Sequence, residues 1–418
     1  MMRILYLHQY FTTPQAKGGT RSYEFARRMV AAGHSVRVIT SSANFSPASL
    51  DPRGGRTLLS VAGIELVVLH VPYANSLRFE QRIAAFARFA ALAAREALAH
   101  DADLVFATST PLTIALPGML AKYRRRIPMV FEVRDLWPEL PIAVGALRNP
   151  ALRAVARGLE WAAYHAADHV VALSPGMAEG VIARGIPPER VTVIPNSCDL
   201  DLFDLPAARG AALRARVPGL AADAPLIVYA GTFGLINGVG YLVDVAAAMA
   251  ELNPRARFLL VGTGAERERV IVRAHDRGVL GRNLFVWEPL PKLHMPELLA
   301  AADLATSLFL PIPAMRHNSA NKFFDALAAG CPVAINYGGW QAELLQASGA
   351  GLALPADDPK AAAQLLDTYL ADGDALRRAG LAARYLARTA FDRDVMAARL
   401  LAIFERVAGA PRLVTAPS

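Results

Sequence analysis

Residues 226–264, LIVYAGTFGLINGVGYLVDVAAAMAELNPRARFLLVGTG, decide the fold. LIVYA (226–230) is an apolar, β-branched run of strand length, closed by the turn Gly231-Thr232-Phe233-Gly234. Helical spacing takes over from about Val239, and RFLLV (257–261) is a second strand ending in Gly262-Thr263-Gly264. Strand, helix and strand in this order make a βαβ unit, and such units stack into a parallel sheet covered on both faces.

The same rhythm extends in both directions. Downstream come LFVWEPL, LATSLF, PVAIN and GLALP; upstream come RILYL, VRVITSS, ELVVLHV, LVFATS, MVFEV, HVVAL and VTVIP, separated by helical stretches such as SYEFARRMVAAGHS. Between them, around Leu200 to Asp223, the periodicity weakens into a connection. A chain of 418 residues exceeds the roughly 250–300 at which single cores stop growing. The reading is therefore α/β, with two doubly wound, Rossmann-like domains at 1–204 and 205–390. Residues 391–418, with FDRDVMAARLLAIFERVAG at helical spacing, form a terminal helix and tail.

With 54% apolar and 19% charged residues the chain has material for two packed cores. No apolar run reaches the length of about 20 residues that spans a bilayer, and His8 and Gln9 interrupt the opening before it forms a signal-peptide core, which points to the cytoplasm. Cys198 and Cys331 are too few for a disulfide framework and read as small core residues. Residues 1–200 carry 22 Lys and Arg against 15 Asp and Glu, and residues 201–418 carry 22 against 21, so nearly all of the formal +8 lies in the first half. A one-sided basic surface attracts phosphates, in nucleic acid, anionic lipid or a pyrophosphate-bearing substrate.

In open α/β sheets ligands bind at the carboxyl ends of strands, where glycine turns and helix N-termini offer N–H groups. The candidate turns are Lys17-Gly18-Gly19-Thr20, Gly231–Gly234 and Gly262–Gly264. None completes G-x-G-x-x-G, which disfavours a nicotinamide oxidoreductase. The stretch HNSANKFFD (317–325) reads as the start of a helix with Lys322 and Asp325 on one face. That spacing suits a cation for a diphosphate beside a carboxylate for ribose hydroxyls, and equally a surface ion pair.

Five segments, in order, resemble the retaining glycosyltransferases of family four, and in particular the WbuB-like branch that builds bacterial surface polysaccharides. They are HQYF…GGT…RRMVAAGHSVRVITS, FEVRDLWPEL, ALSPGM with VIPNSCDLDLF, VYAGTFGLINGVGYLVDVA with FLLVGTGAER, and NKFFDALAAGCPVAINYGGWQAELL. The resemblance implies a GT-B architecture, two Rossmann-like domains facing across a cleft, the first binding acceptor and the second the nucleotide sugar, with the terminal helix returning to the first. It implies transfer from a nucleotide-diphosphate sugar, a UDP-sugar with an N-acetylated or deoxy sugar, with retention and with neither cofactor nor metal.

Residue by residue, the resemblance places Asp325 at the ribose-holding carboxylate and His317 where the family has a glutamate near the sugar. Thr232 and Asn237 stand where it has Arg and Lys, so the diphosphate falls to Lys322 and the Gly231–Gly234 amides, with Asn321 beside them. Gly18 and Gly19 correspond to the glycine turn facing the donor. Pro289 and Leu290, after Glu288, match the loop that reads the base. Arg134 and Asp135 match acceptor-side residues near the transferred sugar, or form an ion pair at a strand end. Glu343 holds the sugar or caps a helix. His8, His34, His70 and His165 read as structural or exposed.

Residues 76–100 suit a helix whose face of Phe79, Ile83, Phe86, Ala90 and Ala97 packs inward, leaving Arg78, Arg82, Arg88 and Arg95 with Phe89 and Leu92 outside. Cations interleaved with outward apolar groups fit an anionic membrane, with Arg124, Arg125 and Arg126 adding charge, or else an ordinary surface helix. The expected setting is peripheral on the inner membrane, with a lipid-linked or saccharide acceptor. The rival readings are a nucleic-acid-binding module, which lacks any recognition signature, a sugar-nucleotide epimerase of the same fold, and an inert family member that binds nucleotide sugars.

Overall fold

The computed structural model describes all residues except 17, 52–53, 74–76, 146, 206 and 410–418. Two compact units emerge: residues 1–11, 22–195 and 394–418 form the first, residues 12–21 and 196–393 the second. The chain leaves the first unit at Pro195, nine residues before the boundary expected at 204, because Asn196 is already tied to Ser319 of the second.

The first unit runs β1 (Arg3–Leu7), α1 (Arg21–Ala31), β2 (Ser35–Ser41), β3 (Arg56–Val61), β4 (Ile64–Leu69), α2 (Phe79–Ala99), β5 (Leu104–Thr108), α3 (Ala115–Arg125), β6 (Met129–Val133), α4 (Glu139–Ala143), α5 (Pro150–Ala166), β7 (His169–Ala172), α6 (Pro175–Ile182) and β8 (Val191–Val193). Its sheet has the order β3-β4-β2-β1-β5-β6-β7-β8, parallel except for the β3–β4 hairpin. Strands β5 and β6 are buried at every position, as a sheet covered on both faces requires.

The second unit runs α7 (Leu200–Phe203), α8 (Ala207–Arg214), β9 (Leu226–Ala230), α9 (Gly240–Leu252), β10 (Arg257–Val261), α10 (Arg267–Asp276), β11 (Leu284–Trp287), α11 (Met295–Ala301), β12 (Leu304–Ser307), α12 (Asn321–Ala329), β13 (Val333–Ile335), α13 (Trp340–Ser348), β14 (Gly351–Ala353), α14 (Pro359–Ala371) and α15 (Gly373–Ala390). Its sheet, β11-β10-β9-β12-β13-β14, is parallel throughout. The stretch Leu235–Leu252 has the length and apolarity to cross a membrane, with a mean hydropathy of 1.4. Leu242, Val243, Val245, Ala246 and Met249 of α9 are instead packed in the core of the second unit.

The last helix, α16 (Arg393–Gly409), returns to the first unit. Met396, Ala397, Leu400, Ile403 and Phe404 recur at helical spacing and are buried with Tyr6 and Phe106, the Phe404 and Phe106 rings 5.0 Å apart.

Strand order locates the ligand edges. In the first sheet the direction of winding reverses between β1 and β5, and in the second between β9 and β12. Such switch points open a crevice at the carboxyl ends of the strands.

Candidate functional site

In the second unit Lys322 lies at this switch point. Its Nζ donates to the Tyr229 hydroxyl at 3.1 Å and sits 4.5 Å from the Tyr229 ring centre and 5.3 Å from that of Phe309. Tyr229 comes from β9 and Phe309 from the loop after β12. A Cβ on Gly231 would lie 3.2 Å from Nζ, so the glycine opens the space the amine occupies. Among the described residues no carboxylate pairs with Lys322, and burial among the rings pulls its amine down to about 7.

The backbone around it is only partly free. The Gly231 amide donates to Val261 O and the Phe233 amide to Thr263 O, holding the β9 and β10 turns together. These two are therefore not anion donors, contrary to the expectation for the whole Gly231–Gly234 turn. The Thr232 and Gly234 amides carry no internal hydrogen bond among the described residues. Thr232 is exposed, and Asn237 is buried at the end of a 3₁₀ turn, Leu235–Asn237, that delays the helix to Gly240.

Helix α12 opens without a side-chain cap, leaving its first amides available to an anion. The approach to it is fixed by Asn196, which donates its backbone amide to Ser319 Oγ at 3.1 Å, and by Trp340 Nε1, which donates to Asn318 O at 2.8 Å. Asn321 lies against Gly19, where a Cβ would collide with its amide, and Gly18 adopts φ +123°. Both glycines thus belong to the second unit, while Lys17 lies outside the described residues. His317, half-buried, closes the 3₁₀ turn Pro313–His317.

Asp325 departs from expectation. Its carboxylate is paired with Lys292, both residues are buried, and among the described residues neither is bonded to Lys322. Lys322 leans toward β9 and Asp325 toward the segment after β11, so the two are not side by side and form no ion pair among the described residues. Burial pushes the Asp325 carboxyl up, opposed by Lys292. One of its oxygens is thereby withdrawn from any ribose. Pro289 and Leu290 follow β11, half-buried, with Leu290 packed near Trp287; Glu288 is exposed and pairs with Arg267 at 2.7 Å. Glu343 is exposed in the first turn of α13.

In the first unit, three strand ends meet at the other switch point. The Arg134 amide, after β6, donates to Ser109 Oγ, after β5, at 3.0 Å; Arg134 Nη1 donates to His8 Nε2, after β1, at 3.2 Å. Guanidinium only donates, so His8 accepts through Nε2 and carries its proton on Nδ1. Burial, then Arg134, holds His8 well below its usual value. Asp135 forms no ion pair with Arg134 among the described residues; burial raises its carboxyl to about 6 against the pull of Arg134.

Residues 18–197 match the family described as glycosyl transferase 4-like domain, and residues 224–372 match glycosyl transferases group 1. A D-inositol 3-phosphate glycosyltransferase of Xylanimonas cellulosilytica is 30% identical over 300 residues, 69% of this chain and 68% of its own. The chain belongs to the family-four glycosyltransferases. A probable glycosyltransferase, WbjE, of Pseudomonas aeruginosa is 24% identical over 290 residues, 64% of this chain and 66% of its own. Among solved structures, sucrose-phosphate synthase from Thermosynechococcus elongatus superposes with a TM-score of 0.76 at 20% identity, covering 98% of this chain and 100% of its own. Anabaena HepE, solved in complex with UDP and glucose, gives 0.73 at 20% identity, covering 97% and 100%. These likenesses establish the GT-B fold.

The helix expected to meet a membrane is oriented differently in this glycosyltransferase. Phe89 is fully buried with Phe86, Ala90, Ala93 and Ala97, and Leu92 packs partly against the same core, while Ile83 is 41% exposed. The buried stripe of α2 centres on Ala93, rotated about 40–60° from the expected face at 100° per residue. Phe89 and Leu92 are therefore packing residues, not membrane contacts. Arg82 donates to the Tyr73 hydroxyl at 3.0 Å, and Arg78 and Arg88 remain exposed. The Phe79 side chain lies outside the description. Arg125 is tied to Asp101 at 2.9 Å, at the end of α3.

Sequence reasoning missed Tyr229, Phe309 and Lys292 in the transferase's second unit, and His8 and Ser109 in its first. Tyr229 had a local signal, an aromatic hydroxyl in the last turn-facing position of a buried strand. The others are joined to their partners only by the fold.

Proposed function

We propose that this glycosyltransferase takes a nucleotide-diphosphate sugar, a UDP-sugar, in its second unit. The observation carrying the proposal is the Lys322 amine at the Gly231 turn, without a counter-ion among the described residues, at the sheet's switch point. Lys322, the Thr232 and Gly234 amides and the N-terminus of α12 would face the diphosphate and stabilise charge as it leaves. Asn321, His317, Pro289 and Leu290 would lie toward sugar and base, and the second oxygen of Asp325 would be left for the ribose. HepE is a structural neighbour solved with UDP, which supports the choice of base.

The acceptor is read as bearing a phosphate or pyrophosphate, with Arg134 and Asp135 of the first unit near the transferred sugar and the Arg134 guanidinium the cation of the pair, and sugar transfer proceeds with retention and without metal or cofactor. A lipid-linked glycan of surface-polysaccharide biosynthesis, worked on at an anionic inner-membrane surface, fits the basic first half. A soluble phosphorylated polyol is the second reading, favoured by the inositol phosphate named for the Xylanimonas relative.

The test is incubation with radiolabelled UDP-sugars, with EDTA, against undecaprenyl-diphosphate glycans and inositol 3-phosphate separately. Label moving to one acceptor, in the donor's own anomeric configuration by NMR, supports the reading. Label moving to neither, with UDP still bound, favours the inert family member.

A further inference from the structure

We propose that Tyr229 is a positioning residue for Lys322, holding its amine uncompensated at the Gly231 turn so that a nucleoside diphosphate binding there draws one proton from solvent onto Lys322. The inference rests on the donor-site reading above and deepens it.

Direction is set by the hydrogen bonds. The Tyr229 hydroxyl gives its proton to Thr232 O at 2.7 Å, so toward Lys322 its oxygen can only accept, at 3.1 Å. The groups recorded against the amine are Tyr229 from β9, Gly231 from the turn and Phe309 after β12. Among the described residues none of them is acidic. On its own helix the nearest carboxylate, Asp325, is engaged by Lys292. Aromatic faces attract a cation but replace neither water nor a carboxylate. Such surroundings favour the neutral amine, in keeping with a value lowered to about 7. A diphosphate supplies the missing negative charge, and the balanced step is Lys–NH₂ plus a solvent proton giving Lys–NH₃⁺ against the bound anion. Tyr229 keeps the amine aimed at the turn in both states.

The probe is UDP, titrated calorimetrically into the full chain at pH 8 in two buffers of different ionisation enthalpy. Its terminal phosphate, with a second pKa of about 6, is already ionised there. The expected result is uptake close to one proton per UDP bound, declining as pH is lowered through 7. Lys322→Arg, permanently charged, should bind UDP without uptake. Tyr229→Phe keeps the ring but removes the acceptor, so UDP binding should weaken about five-fold, as loss of one hydrogen bond predicts. Its half-uptake pH should also move lower, because the charged amine has lost a partner. UDP binding to wild type without proton uptake overturns the inference and leaves the donor site standing. No UDP binding at all overturns both. Affinity and uptake unchanged in Tyr229→Phe removes the positioning role.

Discussion

The Lys292 ammonium pairs with one carboxylate oxygen of Asp325, and 7% and 12% of the two side chains reach solvent. Removing one partner of such a pair strands a buried charge. Lys292→Met should cost about 3–5 kcal/mol in urea unfolding at pH 8. The sign with pH follows from Asp325, whose folded value lies above its unfolded one. Protonation favours the folded state, so the loss should shrink at pH 5. Lys292→Met combined with Asp325→Leu should recover most of it; no recovery would mean that Lys292 acts through other contacts.

The missing side chain of Gly231 leaves room for the Lys322 amine. Its ideal Cβ would stand 3.1 Å from Lys322 Cε and 3.3 Å from the Tyr229 hydroxyl. Gly231→Ala should displace the amine and weaken UDP binding by about 1–2 kcal/mol, within the usual range for overpacking, while Tm changes by a few degrees at most. Unchanged UDP affinity by calorimetry would place the diphosphate elsewhere.

Asp135 is held up to about 6 from an unfolded value of 3.8. A carboxyl raised in this way contributes stability below 3.8, and that contribution is lost as pH rises through 6. Asp135→Asn cannot ionise and escapes the loss. Its melting temperature should exceed that of wild type by a margin that grows from pH 4 to pH 7 and then levels. A constant margin would place Asp135 in a more solvated setting.

Phe89 is a core residue. Phe89→Ala should destabilise by about 3–5 kcal/mol with no vesicles present, whereas Arg88→Glu should leave stability within about 0.5 kcal/mol. Sedimentation with anionic vesicles separates the roles: a fall for Arg88→Glu supports membrane contact through the exposed cations of α2, and no change for either variant removes that helix from the surface.

The fold was legible because parallel strands buried on both faces, such as LVFAT and MVFEV, cannot be mistaken for alternating ones, and glycine turns mark their ends. The Lys322 site was legible in part, since Gly231 and the start of α12 carry local signals. Helical spacing did not reveal the partner of Asp325, because Lys292 arrives from 33 residues away. His8 and Arg134 lie 126 positions apart and meet only through strand order. In α2 the abundance of alanine gave several faces similar apolarity, and packing against α3 selected the one centred on Ala93.

The nucleotide site of the second unit can be probed by a thermal-shift panel of UDP, GDP, ADP and TDP against wild type and Lys322→Ala. At a hundred times its dissociation constant a ligand stabilises by about 2.7 kcal/mol, a readily visible shift. The expected result is a shift with UDP that Lys322→Ala loses. No shift with any of the four nucleotides, or a UDP shift that survives in Lys322→Ala, would contradict it.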